Sequence, residues 1–187
     1  MSSVLDLDSG LPKLLLHCCC APCTSSVLES LLPDYDITLL FYNPNIDSPE
    51  EYEKRATEMN KLHLTKSMEL IVCEYCFGDF EAVSEMYPDE PEGGKRCRVC
   101  FELRLGKTAQ LASKGGYDFF ATTLSVSPHK DAVIINEVGN KLAEKYENLI
   151  FLSADFKKRD GYKRSIELSK LHGLYRQNYC GCRQSKL

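Results

Sequence analysis

The sequence predicts an α/β fold, a parallel sheet with helices on both faces. Short apolar runs alternate with helical patterns along the 187 residues, and the connections between successive runs are themselves helical. No repeat, low-complexity tract or linker divides the chain, so one domain over 1–187 is the expectation, and this length suffices to bury a core.

Residues 13–17 (KLLLH) form the first strand, and after HCCCAPC the stretch TSSVLESLL forms a short helix that Thr24 or Ser25 can cap. The second strand covers 37–42 (ITLLFY). In the following helix Ser48 is the N-cap, Pro49 takes the first helical position and Glu51 closes a capping box. A third strand at 69–72 and helices near 79–86 and over 99–113 follow, the last ended by Lys114, Gly115 and Gly116. A fourth strand at 118–123, a helix over 131–146, a fifth strand at 149–153 and a helix over 163–171 complete the pattern.

In such sheets ligands lie beyond the carboxyl ends of the strands. HCCCAPC, FYNPNID and TTLSVSPHK occupy those positions after the first, second and fourth strands, so three loops can converge on one crevice.

A hydrophobic content of 43% and a charged content of 27% are ordinary for a globular chain, and no stretch approaches the roughly 20 apolar residues of a membrane span. The opening MSSVLDLDSGLPK does not read as a secretory signal, which makes a soluble, cytoplasmic protein the expectation. The net charge of −4 is uneven: from residue 151 onward nine Lys or Arg face three acids, a net of +6, against −10 for residues 1–150. That basic C-terminal segment is either a solvated face or a surface for a polyanion.

Ten cysteines in a chain of this size, with no signal, read as reduced thiols for a metal rather than as a disulfide scaffold. Cys20 with Cys23, Cys73 with Cys76 and Cys97 with Cys100 have the C-x-x-C spacing that lets one turn present two thiolates. Cys180 and Cys182 form a C-x-C, and Cys18 reads equally as a buried thiol at the end of a strand. Cys97 and Cys100 lie on a glycine-softened approach to a helix N-terminus, where amide dipoles favour thiolates.

Zinc and an iron–sulfur cluster both accept four thiolates, and the strand-end position favours a catalytic cluster over a structural zinc. CAPC also has the local form of a thioredoxin-type motif, but that scheme leaves Cys18 and Cys19 without a role. The first loop has no glycine, and neither G-x-x-x-x-G-K-[ST] nor G-x-G-x-x-G occurs, so nucleotide use is unsupported.

HCCCAPC, FYNPNI with EYEKR, KRCRVCFELRLGKTAQLA, TTLSVSPHKD and YRQNYCGC, in that order, resemble the cobalamin-independent epoxyqueuosine reductases over about 13–185. The resemblance implies a fold similar to the ATP-pyrophosphatase (HUP-like) domains, a [4Fe-4S] cluster, and reduction of epoxyqueuosine to queuosine at the wobble position of tRNA. The cluster ligands would fall on Cys19, Cys20, Cys97 and Cys100, and Cys180 with Cys182 would be a redox-active pair. CEYC, at Cys73 and Cys76, departs from the acidic segment more usual in the family.

Removing the epoxide oxygen to leave an alkene takes two electrons and two protons, so the dithiol or an external electron donor must supplement a cluster that passes one electron at a time. A second metal ion, iron, beside the cluster has Cys23 and Cys76 as its candidate ligands. His17, His129, Lys130, Asp131 and Tyr179 are candidate proton donors, with Asp131 and Lys130 preferred; the alternative for Asp131 is that it caps the helix it begins, and for His17 that it is a satisfied strand-end histidine. Lys157, Lys158, Lys163, Arg164 and Arg176 are candidate phosphate contacts, and Tyr162, Tyr175 or Tyr179 could stack on a base. An iron–sulfur tRNA thiolation enzyme and a zinc-binding RNA module are the competing functions.

Overall fold

The computed structural model describes residues 10–66 and 68–186; residues 1–9, which open the segment tested above for a signal, lie outside them. Five parallel strands, β1 (Lys13–His17), β2 (Asp36–Phe41), β3 (Glu69–Val72), β4 (Phe119–Thr122) and β5 (Ile150–Phe151), lie in the order β3-β2-β1-β4-β5. The six helices are α1 (Ala21–Leu31), α2 (Pro49–Lys66), α3 (Gly78–Met86), α4 (Lys95–Gly115), α5 (Ala132–Ala143) and α6 (Gly161–Leu171).

The alternation of strand side chains divides the core in two. Leu14 and Leu16 pack with Ile37, Leu39 and Phe41 under α1 and α2, while Leu15 points the other way, to Leu40, Phe120 and Phe151 under α4 and α5. All three leucines are fully buried, each worth roughly 1.5–3 kcal/mol over an exposed position. β1 is therefore the central strand, and its carboxyl end opens at the middle of the sheet, where the strand order reverses.

Two helix starts differ most from the sequence expectation, and α6 begins at Gly161, two residues before its expected start. α1 begins at Ala21, with Cys20 as N-cap and a proline in the first turn. Thr24 and Ser25 therefore sit inside the helix, where their hydroxyls donate to the carbonyls of Cys20 and Pro22. α4 begins at Lys95, its N-cap being Gly94, which places Cys97 in the first turn and Cys100 in the next.

At α2, Ser48 Oγ accepts from Glu51 N–H at 3.2 Å, as a cap requires, but the Glu51 carboxylate turns to Arg55 Nε at 2.7 Å and leaves the capping box half made. Gly116 ends α4 at φ +69°, a conformation that favours glycine. Among the described residues no helix is long and apolar enough to cross a membrane.

Candidate metal centre

The first loop leaves β1 with consecutive thiols in opposite environments. Cys18 is fully buried, its Sγ–H donating to Leu16 O at 3.2 Å, and burial pushes its thiol far up. Cys19 turns the other way, where its N–H donates to Thr123 Oγ1 (3.0 Å) and the Thr123 hydroxyl lies 3.2 Å from its sulfur.

Because Cys20 caps α1 and Cys23 lies in its first turn, the sulfurs of Cys19, Cys20 and Cys23 all come within 4.8 Å of one another. Hydrogen bonds with Cys20 and Cys23 hold Cys19 well below the usual thiol range against the effect of burial, and the charges of Lys130 and Arg104 add to this. The same contacts push Cys20 up to about 11 and raise Cys23. The arrangement favours one thiolate, Cys19, with two thiol donors around it.

These sulfurs line a cavity of about 320 Å³ together with Arg104, Lys130, Tyr162, Arg176, Tyr179 and Cys180, among others. A second cavity adjoins it, sharing Glu92, His129, Lys130 and Cys180, and is also lined by Cys97, Cys100, Cys182, Asn45 and Arg96. Burial pushes Cys100 up to about 12, though Arg104 pulls against it, and burial likewise raises Cys97.

The structure thus groups the cysteines differently from the sequence expectation. Cys97 and Cys100 stand beside Cys180 and Cys182, while Cys19 and Cys20 gain Cys23 as their immediate neighbour. The physical reason is the turn of α1, which carries Cys23 back over the loop. Cys76, paired with Cys23 in the sequence reading, does not join this set and is exposed on the loop after β3. All ten cysteines are free thiols.

The C-terminal thiols reach the mouth through a docked tail. Arg55, only 2% exposed, donates from Nη1 to Cys180 O at 2.9 Å, and Asp47 N–H donates to Gly181 O at 3.0 Å. Gly181 has φ +133°, and a Cβ there would stand 2.9 Å from Asn45 Nδ2 and 3.1 Å from Ile46, so this glycine lets the tail approach the second loop.

Of the candidate proton donors, Lys130 lines both cavities. Burial would lower its pKa, but Cys180, Cys19 and Cys23 outweigh that and hold it above the ordinary lysine range. Asp131 is exposed and accepts from Val133 N–H at 2.8 Å; it caps α5 and does not line either cavity. His17 is fully buried between Thr122 Oγ1 (2.8 Å) and Tyr42 O (3.1 Å); burial first, then Arg104, lowers its pKa to about 3, so the ring stays neutral. His129 lines both cavities from an exposed position, and Tyr179 lines the first with its hydroxyl donating to Asp47 at 3.1 Å.

The basic segment is partly neutralised within the fold. Arg164 makes two 2.8 Å contacts to Glu29 and one of 3.2 Å to Glu167, and Lys157 pairs with Asp155 at 3.0 Å. Lys158 lies 4.0 Å from the same aspartate, and Lys163 is exposed. Arg176 differs: it lies over the Tyr162 ring, 5.1 Å from the centroid, on the wall of the first cavity. Tyr175 is tied to α2, its hydroxyl donating to Glu51 and its ring lying under Lys54.

Sequence reasoning missed three buried arginines, Arg55, Arg96 and Arg104, because arginine is normally a surface residue. The signal was present in α4, where Arg96, Cys100 and Arg104 recur every fourth residue on the buried stripe.

Among the described residues, the buried side-chain polar atoms without a hydrogen-bond partner are Asn45 Oδ1, Arg96 Nε and Nη2, Arg104 Nη1 and Gln177 Oε1, and all four residues line the two cavities. Buried polar groups are normally satisfied. Unpaired guanidinium donors beside a cluster of thiols are the surroundings an anionic, thiolate-bound metal centre calls for, so the donor set fits one.

A family model described as Epoxyqueuosine reductase QueH matches residues 14–187. Proteins with that same description include one from Streptococcus pyogenes serotype M1, 41% identical over 189 residues that cover 97% of this chain and 73% of the relative. One from Thermotoga maritima is 40% identical over 172 residues, covering 90% and 87%. Among solved structures, the U34-tRNA thiolase NcsA from Methanococcus maripaludis with its [4Fe-4S] cluster is similar in fold, with a TM-score of 0.55 at 15% identity. The alignment covers 95% of this chain but 62% of the thiolase, so the chain spans about three fifths of that protein's length.

Proposed function

Because the chain belongs to the epoxyqueuosine reductase QueH family, we propose that it reduces epoxyqueuosine to queuosine at the wobble position of tRNA, in the cytoplasm, with electrons from an external donor. The observation that carries this reading is the convergence of seven thiols, two buried arginines and Lys130 on two adjoining cavities at the reversal point of the sheet.

A [4Fe-4S] cluster held by Cys19, Cys20, Cys97 and Cys100 would supply single-electron transfer and a Lewis-acidic iron. The rest falls to the chain's own groups. Both C–O bonds of the epoxide break, and the oxygen leaves as water with two protons and two electrons. Cys180 and Cys182, oxidised from dithiol to disulfide, release two of each, and the external donor restores the dithiol. Lys130, protonated beside the thiols, delivers one of these two protons at the developing alkoxide and regains it from the dithiol. Arg176 over Tyr162, with Tyr179 also lining the first cavity, offers a cationic and aromatic surface for a base splayed from the anticodon loop. Earlier in the segment, Lys158 and Lys163 are the exposed candidate phosphate contacts, while Lys157 and Arg164 would first have to leave Asp155, Glu29 and Glu167.

The spacing within 4.8 Å of Cys19, Cys20 and Cys23 favours a second ligand set, in which Cys23 replaces Cys97, whose sulfur accepts from Gly93 N–H at 3.2 Å. Anaerobic purification tests both sets. We expect a brown protein with broad absorbance near roughly 400 nm and turnover of epoxyqueuosine tRNA. Iron retained in Cys97→Ala but lost in Cys23→Ala would select the second set, and a colourless protein with stoichiometric zinc would refute the enzyme reading.

A further inference from the structure

Arg104 lies one turn beyond Cys100 on the buried stripe of α4 and is 2% exposed. Its Nη2 donates to Asn43 Oδ1, its Nε lies 3.4 Å from His17 Nε2, and its Nη1 has no hydrogen-bond partner. Among the described residues no carboxylate comes within 4.0 Å of it. His17 is buried and neutral, and Asn43 is neutral by nature, so the neighbours fix the guanidinium in place without cancelling its charge.

A guanidinium cannot shed its proton, so this is a permanent positive charge in the interior. Buried charges are tolerated when something of opposite sign answers them. The groups able to do so are sulfurs: Arg104 lines the cavity with Cys19, Cys20 and Cys23, and its field also acts on Cys100. It is thus a fully buried charge that acts on both thiol sets.

We propose that Arg104 is a positioning residue for the metal centre: its fixed guanidinium is the counter-charge of the cluster and raises the cluster's reduction potential. The inference rests on the cluster reading above. Adding an electron makes a thiolate-bound cluster more negative by one unit, and a fixed positive charge in a low-dielectric site favours that form. Lys130 adds charge at the mouth, where a long flexible side chain and partial exposure weaken its hold. Arg104 is fully buried, held by two side chains, and does not need to meet substrate.

The test is an anaerobic redox titration of the reconstituted full chain, followed by the electron paramagnetic resonance of the reduced cluster, with iron and sulfide counted in each sample. Arg104→Met should keep its iron but become harder to reduce by at least tenfold in equilibrium constant, a midpoint lower by about 59 mV for a one-electron couple. Arg104→Lys, which keeps the charge, should fall by less than half of that.

An unchanged midpoint in an iron-replete Arg104→Met protein would overturn the inference while leaving the enzyme reading intact. A wild-type protein without a cluster would overturn both. If Arg104→Met does not fold, Asn43→Ala, which frees the guanidinium from its anchor, must lower the midpoint; a wild-type value there would reject the proposal. A residue needed only for packing would change melting temperature across this series and leave the potential where it was.

Discussion

The thiols of the first loop and those of the C-terminal tail arrive at the same mouth by different means. Cys19, Cys20 and Cys23 are placed by five residues of local chain: the end of β1, an extended cap and one turn of α1. Cys180 and Cys182 are placed by a long-range dock, in which Arg55 and Asp47 grip the tail backbone and Gly181 permits the close approach. The local set is also electrically prepared, with Cys19 held low by its neighbours. In the function proposed above, the local set retains metal and the docked set supplies the replaceable redox pair.

Breaking the local set should have the largest effect. We expect Cys19→Ala to reduce iron content to background and abolish turnover, since the neighbouring thiols lose the sulfur they surround; iron and sulfide analysis beside single-turnover assays checks this. Iron that stays bound in Cys19→Ala would shift the centre of the site toward the α4 and tail thiols.

Undocking the tail should cost turnover and spare the metal. In Gly181→Ala the new methyl meets Asn45, Ile46 and Arg55 from a backbone that L residues rarely adopt. A displacement on the order of 1 Å can cost roughly a hundredfold in rate. We expect about that loss in kcat with wild-type iron content. Equal loss of iron would mean that Cys180 or Cys182 is itself a metal ligand and would erase the contrast between the two sets.

The two regions were unequally legible in the sequence. The strands follow from apolar runs and land within a residue or two of their observed limits, and the three loops do meet at the sheet's carboxyl edge. HCCCAPC announces itself because its members are adjacent. The start of α1 was misread because CAPC resembles a loop, although a proline near the first position is a helix signal. The meeting of Cys100 with Cys182, and of Arg55 with Cys180, joins residues 82 and 125 positions apart, and no local periodicity encodes such contacts. Charge in the tail was visible, but its partners Glu29 and Asp155 were not.

The electrical difference can be measured directly on iron-free, reduced protein. With its folded pKa held well below the usual thiol range, Cys19 ionises more readily than Cys20, pushed up to about 11, and Cys100, pushed up to about 12. Alkylation followed by peptide mapping at neutral pH should therefore label Cys19 first, with at least tenfold slower labelling of Cys100. The sign for stability follows from the same shift. Because folding lowers the pKa of Cys19, its contribution is complete above the unfolded thiol value of about 8.5 and is lost as pH falls through the folded value. Uniform labelling of all first-loop thiols would remove the electrical part of the contrast.

The smallest effect should come from the cysteine that sequence alone could not assign. Cys18 adjoins Cys19 yet belongs to neither thiol set: it faces the α1 side of the core, fully buried, and its thiol donates to Leu16 O at the end of β1. Burial drives it away from ionisation, which disqualifies it as a thiolate while its neighbours can bind metal. Cys18→Ala removes one sulfur from a packed interior and a weak hydrogen bond from a carbonyl that β1 already uses. About 1 kcal/mol of stability should go with them, read as a lower denaturant midpoint with an unchanged slope. Iron content, absorbance and turnover should match the wild type. Loss of the cluster here would mean that the first loop can rotate Cys18 outward when metal binds, and the boundary between core and centre would then lie one residue earlier, at His17.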